Sequence, residues 1–433
     1  MRGTFPAQDQ MLQHARGLCR AEEAKDLRSL VASMTENIRH FDLASMHRAV
    51  AICALGSSGS TLLASYLDGH DDVIMLPVVI GDRIYHFFER YHSLSLRDKL
   101  VCYRVFSEDF FYYSLPAANY YAAVNAFFEV YGNSSPAFLE SRRGFFLVLH
   151  VVYCVAARRL PANHRPLIVY AQHAWNDQLA RRFIEDFPQG RFIHTVRDPI
   201  TNCGRSFDYR FASSRSPIER FLSASYVIYN LTRRDIPHTG MAKRTLTIRF
   251  EDLHLHLEKT VRATADWLGL PYRSSLLEST FNGVPWIVRR GTISWSGARP
   301  EQAVRDSQNL SFADQCLLFA ILNEDFVMWN YPCPNIFKHA AVRLVTSMFL
   351  LLIPMKMEIK SLWTLISELW SMRRGRFKYA INSLVRLFIC RLSIMSFVAI
   401  ELCRRLAFRK KVLQIHETDI SVIGHLPINF SAS

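Results

Sequence analysis

The apolar run Ala49-Val50-Ala51-Ile52-Cys53-Ala54 leads into Leu55-Gly56-Ser57-Ser58-Gly59-Ser60-Thr61, and Leu62, Leu63, Tyr66 and Leu67 follow at helical spacing. A short apolar run bounded by glycine reads as a buried strand, and the switch to helical periodicity marks a strand–loop–helix unit that Gly69 closes. No other feature restricts the chain as much. A strand apolar on both faces belongs in a parallel sheet covered by helices on each side. The alternation resumes downstream. Strands are expected at Val73–Leu76, Leu167–Ala171, Phe192–Val196 and Leu246–Phe250. Helices are expected at Asn176–Phe187, Thr201–Tyr209, Ser216–Arg234 and Leu255–Leu268. After a loop at Asn282–Arg305, Ser311 caps a helix over Ala313–Trp329, and the globular part closes near Pro334. The expected class is α/β, a mainly parallel sheet flanked by helices.

Three segments stand outside that alternation. Residues 1–47 are a polar lead-in without an apolar core of signal-peptide type, so a cytoplasmic chain is expected. Residues 82–165 interrupt the domain of residues 48–334 with a dense run of aromatics, read as a helical insertion. Its bland role is helical core; its functional one is the wall of an acceptor pocket. Gly144–Ala157 within it is apolar but too short to span a bilayer. Residues 335–433 form a basic, amphipathic tail. Between Arg343 and Lys411 there are 14 Lys and Arg against 3 acids, a net 14 − 3 = +11 of the chain's +14. Ala380–Ile400 has the length of a span, but Arg386 and Arg391 interrupt it, and a cation in hydrocarbon costs about 2.5 kcal/mol or more. A peripheral helix over residues 340–412, lying on a membrane surface or packed back on the domain, is therefore expected. The positive charge sits in one segment, and nucleic acid is not an expected partner. The nine cysteines are scattered and never spaced C-x-x-C, which speaks for reduced thiols and against a zinc site.

Three elements carry chemistry. The loop Gly56-Ser57-Ser58-Gly59-Ser60-Thr61 has small residues that let backbone N–H groups approach an anion at a helix N-terminus, with hydroxyls at Ser58, Ser60 and Thr61. It lacks the lysine of a Walker A loop, and a serine-rich capped turn reads equally well. Arg197-Asp198-Pro199 ends a strand, with Asn202, Arg205 and Ser206 on the next helix; Arg197 and Arg205 can meet one phosphate, or Arg197 can form a surface ion pair with Asp198 or Asp208. Val288-Arg289-Arg290-Gly291 and Trp295-Ser296-Gly297-Ala298-Arg299 form a basic loop that can fold over a nucleotide, or an ordinary exposed turn.

In this order the elements resemble the sulfotransferase family that uses phosphoadenosine phosphosulfate (PAPS), over roughly residues 49 to 332. The first is similar to the family's 5′-phosphosulfate loop, and its continuation Leu62 to Val73 is similar to bacterial and tyrosyl-protein-type members. Phe192 to Pro199 resembles the 3′-phosphate strand and helix. Arg249-Phe250-Glu251-Asp252-Leu253 with Trp267-Leu268-Gly269-Leu270-Pro271-Tyr272 resembles another conserved pair of segments, and Arg289-Arg290-Gly291 the tripeptide that closes over the 3′-phosphate. The resemblance implies a P-loop-like sulfotransferase fold, PAPS as co-substrate, no metal, and sulfuryl transfer to a carbohydrate, lipid-linked or other small hydroxyl acceptor. It implies cofactor contacts at Gly56, Ser57, Ser58, Gly59, Ser60, Thr61, Arg197, Arg205, Ser206, Arg289, Arg290 and Gly291, and His173 as the base.

The chain departs from the family pattern at three places. Ser57 stands where a Lys or Arg is usual, Arg205 falls on the expected 3′-phosphate serine with Ser206 beside it, and Ala171 replaces a lysine near His173. Arg48 and Arg299 are candidates for the missing cation. A catalytically impaired nucleotide-binding or scaffolding relative is the competing expectation. A sugar or nucleoside kinase with a degenerate loop is a third, and no acid is placed for its Mg²⁺.

Overall fold

The computed structural model describes residues 11–17, 27–54, 57–76, 81–106, 115–132, 137–172, 177–213, 227, 244–290, 293–351, 353–371, 392, 396, 399–400 and 421–422. The expected helix Ser216–Arg234, His173, Gly56, Gly291 and most of the distal tail lie outside these residues. Strands β1 (Ala49–Ala54), β2 (Val73–Met75), β3 (Leu167–Gln172), β4 (Arg191–Val196), β5 (Thr245–Arg249) and the two-residue β10 (Ser421–Val422) form one sheet in the order β10-β5-β4-β1-β3-β2. β1 pairs parallel with β3 in the register Ala49↔Ile168, and β2 parallel with β3 in the register Val73↔Leu167. With helices between successive strands this is the α/β class read from the alternation.

The chain forms two compact units. The first comprises residues 1–54, 60–194 and 257–298. Its helices include α1 (Arg28–Arg39), α2 (Ser60–Leu67), α3 (Gly81–Arg90), α4 (Leu96–Phe106), α5 (Ala117–Tyr131), α6 (Arg142–Ala156) and α7 (Asp177–Asp186). Within the segment 82–165 the described residues include α3, α4, α5 and α6. Every residue of α6 from Gly144 to Ala156 is buried. Phe87, Tyr103 and Phe145 meet ring to ring in its surroundings, with Phe87 edge-on to Tyr103 at 5.0 Å. These aromatics supply core, in keeping with the large buried area each ring contributes.

Asp68, at the end of α2, is the polar hub of this unit. Its buried carboxylate pairs with Arg159 and accepts from Thr280 Oγ1 at 3.1 Å and from the Gly283 N–H at 3.4 Å. Gly283 belongs to the segment Asn282–Arg305 expected as a loop. Part of that segment is strand instead: β6 (Thr280–Phe281) pairs antiparallel with β7 (Val284–Pro285), and β8 (Ile287–Arg290) with β9 (Ile293–Ser296). Asn282 and Gly283 take φ of 54° and 73°, the left-handed pair that a two-residue hairpin turn requires.

The second unit comprises residues 55–59, 195–256 and 299–433. It contains α8 (Pro199–Ser213), α9 (Phe250–Leu255), α11 (Phe312–Ile321), α12 (Asn323–Met328), α13 (Ala340–Leu351) and α14 (Lys356–Ser371), while α10 (Leu257–Leu268) belongs to the first. All of β5 is buried. Ile200, Cys203 and Phe207 of α8 share a core with Leu317, Leu318, Phe326 and Trp329. Arg249 and Asp252, both buried, close a two-pronged pair at 2.9 and 2.7 Å across the first turn of α9. Ser311 caps α11 in a reciprocal box with Asp314, as its sequence indicates.

Removing one member of a buried ion pair leaves the other charge uncompensated. Asp68→Ala is expected to lower the unfolding free energy by about 3 kcal/mol in urea titration; a loss below about 1 kcal/mol would show Arg159 to be solvated in the native state.

Candidate active site

The phosphate-type loop owes its shape to two left-handed residues. Ser57 has φ 66° and Gly59 φ 92°. A Cβ on Gly59 would come within 2.6 Å of Phe250 Cδ2, so only glycine fits both the backbone and the space. Ser58 is buried, its Oγ 3.3 Å from Thr195 Oγ1. Ser57 is exposed. The chain then enters α2, where Ser60 is buried and Thr61 half-buried.

Arg197 follows the last residue of β4 and holds this loop. Its guanidinium lies 3.8 Å above the Phe250 ring, donating from Nη1 to the Ser57 carbonyl and from Nη2 to the Gln302 carbonyl, both at 3.1 Å. A planar cation can stack and donate in plane at once, which an ammonium cannot. Burial presses its pKa down from the usual arginine value, against the pull of Glu251. The surface ion pair considered from sequence is not formed. Arg197 is buried, and the Asp198 carboxylate is engaged elsewhere. Asp198 caps α8: Oδ1 accepts from the Thr201 N–H at 2.9 Å and from Thr201 Oγ1 at 3.0 Å, while Oδ2 pairs with Arg305. Pro199 suits the first helical position, where no N–H is needed. Arg197-Asp198-Pro199 is thus a loop clamp, a helix cap and a helix start.

One turn into α8, Ser206 Oγ donates to Asn202 Oδ1 at 3.2 Å, and Arg205 Nη2 pairs with Asp306 at 2.9 Å. Asp306 is itself fixed by its N–H, which donates to Thr201 Oγ1 at 3.0 Å. Several donors keep spare capacity. Arg197 Nε, Asn202 Nδ2, and Arg205 Nε and Nη1 are buried without a hydrogen-bond partner among the described residues. Buried donors are ordinarily satisfied, so these four, on one strand end and helix start, retain capacity for further acceptor oxygens.

Beneath this cluster lies α9. Glu251 is buried, accepting from the Asp198 N–H at 3.1 Å and from the Tyr331 hydroxyl at 2.7 Å. Burial raises its pKa to about 7, and the two hydrogen bonds only partly offset that. His254 stands edge-on to Phe250 at 4.4 Å and accepts the Arg299 N–H on Nδ1 at 2.8 Å, which leaves the proton on Nε2. Burial, then Arg197, lowers its pKa to about 4, so the ring stays neutral. Sequence reading passed over Phe250, Glu251 and His254 as roles. The segment stood out only by resemblance, though Phe250 and His254 at i and i+4 share a helix face.

The remaining candidates separate. Arg289 and Arg290 sit in β8 of the first unit, while His173 and Gly291 lie outside the described residues. Arg48 is excluded as the loop's cation. It precedes β1, at the opposite end from the loop, and its Nη2 donates to the carbonyls of Leu268 at 2.9 Å and Gly269 at 3.2 Å. A six-residue strand separates its ends by about 20 Å. Among the described residues no cluster of His, Cys, Asp or Glu is arranged to hold a metal.

Residues 49–274 match the sulfotransferase family, which is 226 of 433 residues and more than half the chain. Similar solved structures include a sulfotransferase domain from the Synechococcus PCC 7002 olefin synthase, 20% identical over 54% of this chain and 77% of that one, with a TM-score of 0.30. A sulfotransferase domain from the curacin biosynthetic pathway is 16% identical over 66% and 99% of the two chains, at a TM-score of 0.36. A sulfotransferase from Mycobacterium avium is 12% identical over 53% and 66%, at 0.28. No curated protein sequence matches the chain. At these TM-scores the structural likenesses say nothing about activity.

Two outcomes follow from the geometry. Gly59→Ala meets both the left-handed φ and the Phe250 ring, and should destabilise by about 2 kcal/mol or more in thermal or urea unfolding; an unchanged stability would mean the loop relaxes freely. For Glu251, both folded and unfolded chains are protonated below pH 4.5, the ordinary value for this carboxyl, and the folded one ionises only at about 7. The folded state thus holds the extra proton, and stability falls as pH rises through that window. Relative to wild type, Glu251→Gln should gain on the order of 1–3 kcal/mol between the ends of that window; a flat difference would show an ordinary carboxyl.

Proposed function

Because this chain belongs to the sulfotransferase family, we propose that its sulfuryl transfer draws on PAPS and delivers the group to a hydroxyl acceptor, carbohydrate or lipid-linked. The observation that carries this reading is the set of buried, uncommitted donors on Arg197, Asn202 and Arg205 beside a loop tied by Arg197 to the same strand end. A co-substrate with phosphate at both ends of its ribose needs two anion cradles. The family resemblance assigns one to Gly56, Ser57, Ser58, Gly59, Ser60 and Thr61, and the other to Arg197, Arg205 and Ser206 with Arg289, Arg290 and Gly291. The branch shared by bacterial and tyrosyl-protein-type members is the one favoured by the sequence after Ser60.

In the transfer, His173 takes the proton of the acceptor hydroxyl as its oxygen attacks sulfur. The bond from sulfur to the bridging phosphate oxygen breaks, and the electron pair leaves on phosphoadenosine phosphate. Loop amides and hydroxyls meet the charge that grows on that oxygen. Ser57 contributes no cation there. Arg197 does not replace it outright, since two of its three nitrogens are spent on the Ser57 and Gln302 carbonyls.

The test is transfer of labelled sulfate from PAPS to acceptors in a lysate, alongside calorimetry with phosphoadenosine phosphate. Arg197→Ala should weaken nucleotide binding about a hundredfold, from a lost charged anchor and a loosened loop. His173→Ala should leave binding intact and remove turnover by about a hundredfold or more. Wild-type binding with no transfer to any acceptor would favour a nucleotide-binding relative, and no binding at all would overturn the reading.

A further inference from the structure

Helix α13 is inside out. Leu344, Val345, Met348 and Phe349 lie on its solvent side at 37%, 67%, 64% and 65% exposure, while Arg343 and Ser347 are wholly buried beneath it. The i, i+1, i+4, i+5 spacing puts the four apolar residues in one stripe. On the inner side Arg343 pairs with Glu324 and donates to Asn323 Oδ1 at 3.4 Å, and its Nε and Nη2 and the Ser347 hydroxyl have no further partner among the described residues. A helix facing water alone would gain by the opposite arrangement, because a buried charge is tolerated only when paired and large apolar residues gain most from burial. Nearby in sequence, on α14, Trp363 is 67% exposed.

The charge that follows this helix in sequence identifies what covers its outward face. From Lys356 to Lys411 the sequence holds 13 Lys and Arg against Glu358, Glu368 and Glu401, a net 13 − 3 = +10. An apolar stripe with Phe and Trp, continued by a strongly basic stretch, matches an anionic bilayer surface, where acyl chains meet the stripe and headgroups meet the cations. At 12 residues α13 reaches about 18 Å, well short of the hydrocarbon core. Among the described residues no helix is long and apolar enough to cross a membrane.

We propose that the outward face of α13, formed by Leu344, Val345, Met348 and Phe349, lies in the plane of an anionic membrane surface and docks the protein there. The docking is independent of the sulfuryl-transfer reading, and its test needs no activity. The full chain is floated with phosphatidylcholine vesicles with and without phosphatidylserine. Wild type should float with the anionic vesicles, Val345→Glu/Phe349→Glu should partition about tenfold less, and Val284→Glu, an exposed apolar site elsewhere, should match wild type. If the double variant melts early, Leu344→Gln/Met348→Gln keeps helix propensity and should lose about threefold. Wild type that stays with the lipid-free fraction overturns the proposal, as does a double variant that floats like wild type. So does a dimer in sedimentation that the double variant dissolves, because the face would then belong to a second copy.

Discussion

Arg197 has to remain a cation inside the protein, and much of the second unit is arranged around that demand. Its plane rests on Phe250, two nitrogens reach the carbonyls of Ser57 and Gln302, and Glu251 stands behind it as a buried acid. Each neighbour is fixed in turn. Phe250 leaves no room for a side chain at Gly59, Glu251 is held by Tyr331, and Asp198 is turned away by Thr201 and Arg305. A guanidinium buried in this way fixes the loop's position through the Ser57 carbonyl.

The same arrangement bears on the missing cation. Ser57 is exposed and left-handed, and the local positive charge of Arg197 is held beneath its carbonyl. In the proposed transfer the loop would act through amides and hydroxyls backed by that cation. His254 adds a neutral donor at the same level, kept neutral by burial and by Arg197.

The two surfaces of interest obey different logic. At the end of β4 and the start of α8, Arg197, Asn202 and Arg205 carry buried donors without a partner among the described residues. On α13, Arg343 and Ser347 are wholly buried while Leu344, Val345, Met348 and Phe349 face outward, with Val342 and Leu350 packed against the core. Both are departures from what folding alone favours.

Sequence patterning determined the α/β class, the position of the loop between β1 and α2, and the concentration of basic residues in the tail. These follow from local patterns of two and 3.6 residues and from charge counting. It did not reveal the hairpins of residues 280–296, although Asn282-Gly283 carries the turn signal, because strands of two to four residues are too short to show a period. Only tertiary structure decided that Arg197 clamps the loop instead of pairing on the surface, that Arg48 lies at the wrong end of β1, and that Gly59 is required by Phe250. Those facts depend on contacts between residues up to 221 positions apart, and no local pattern encodes which partner a buried side chain meets. The inversion of α13 is of the same kind: Arg343 faces inward because Glu324 waits there, which the helix's own sequence does not show.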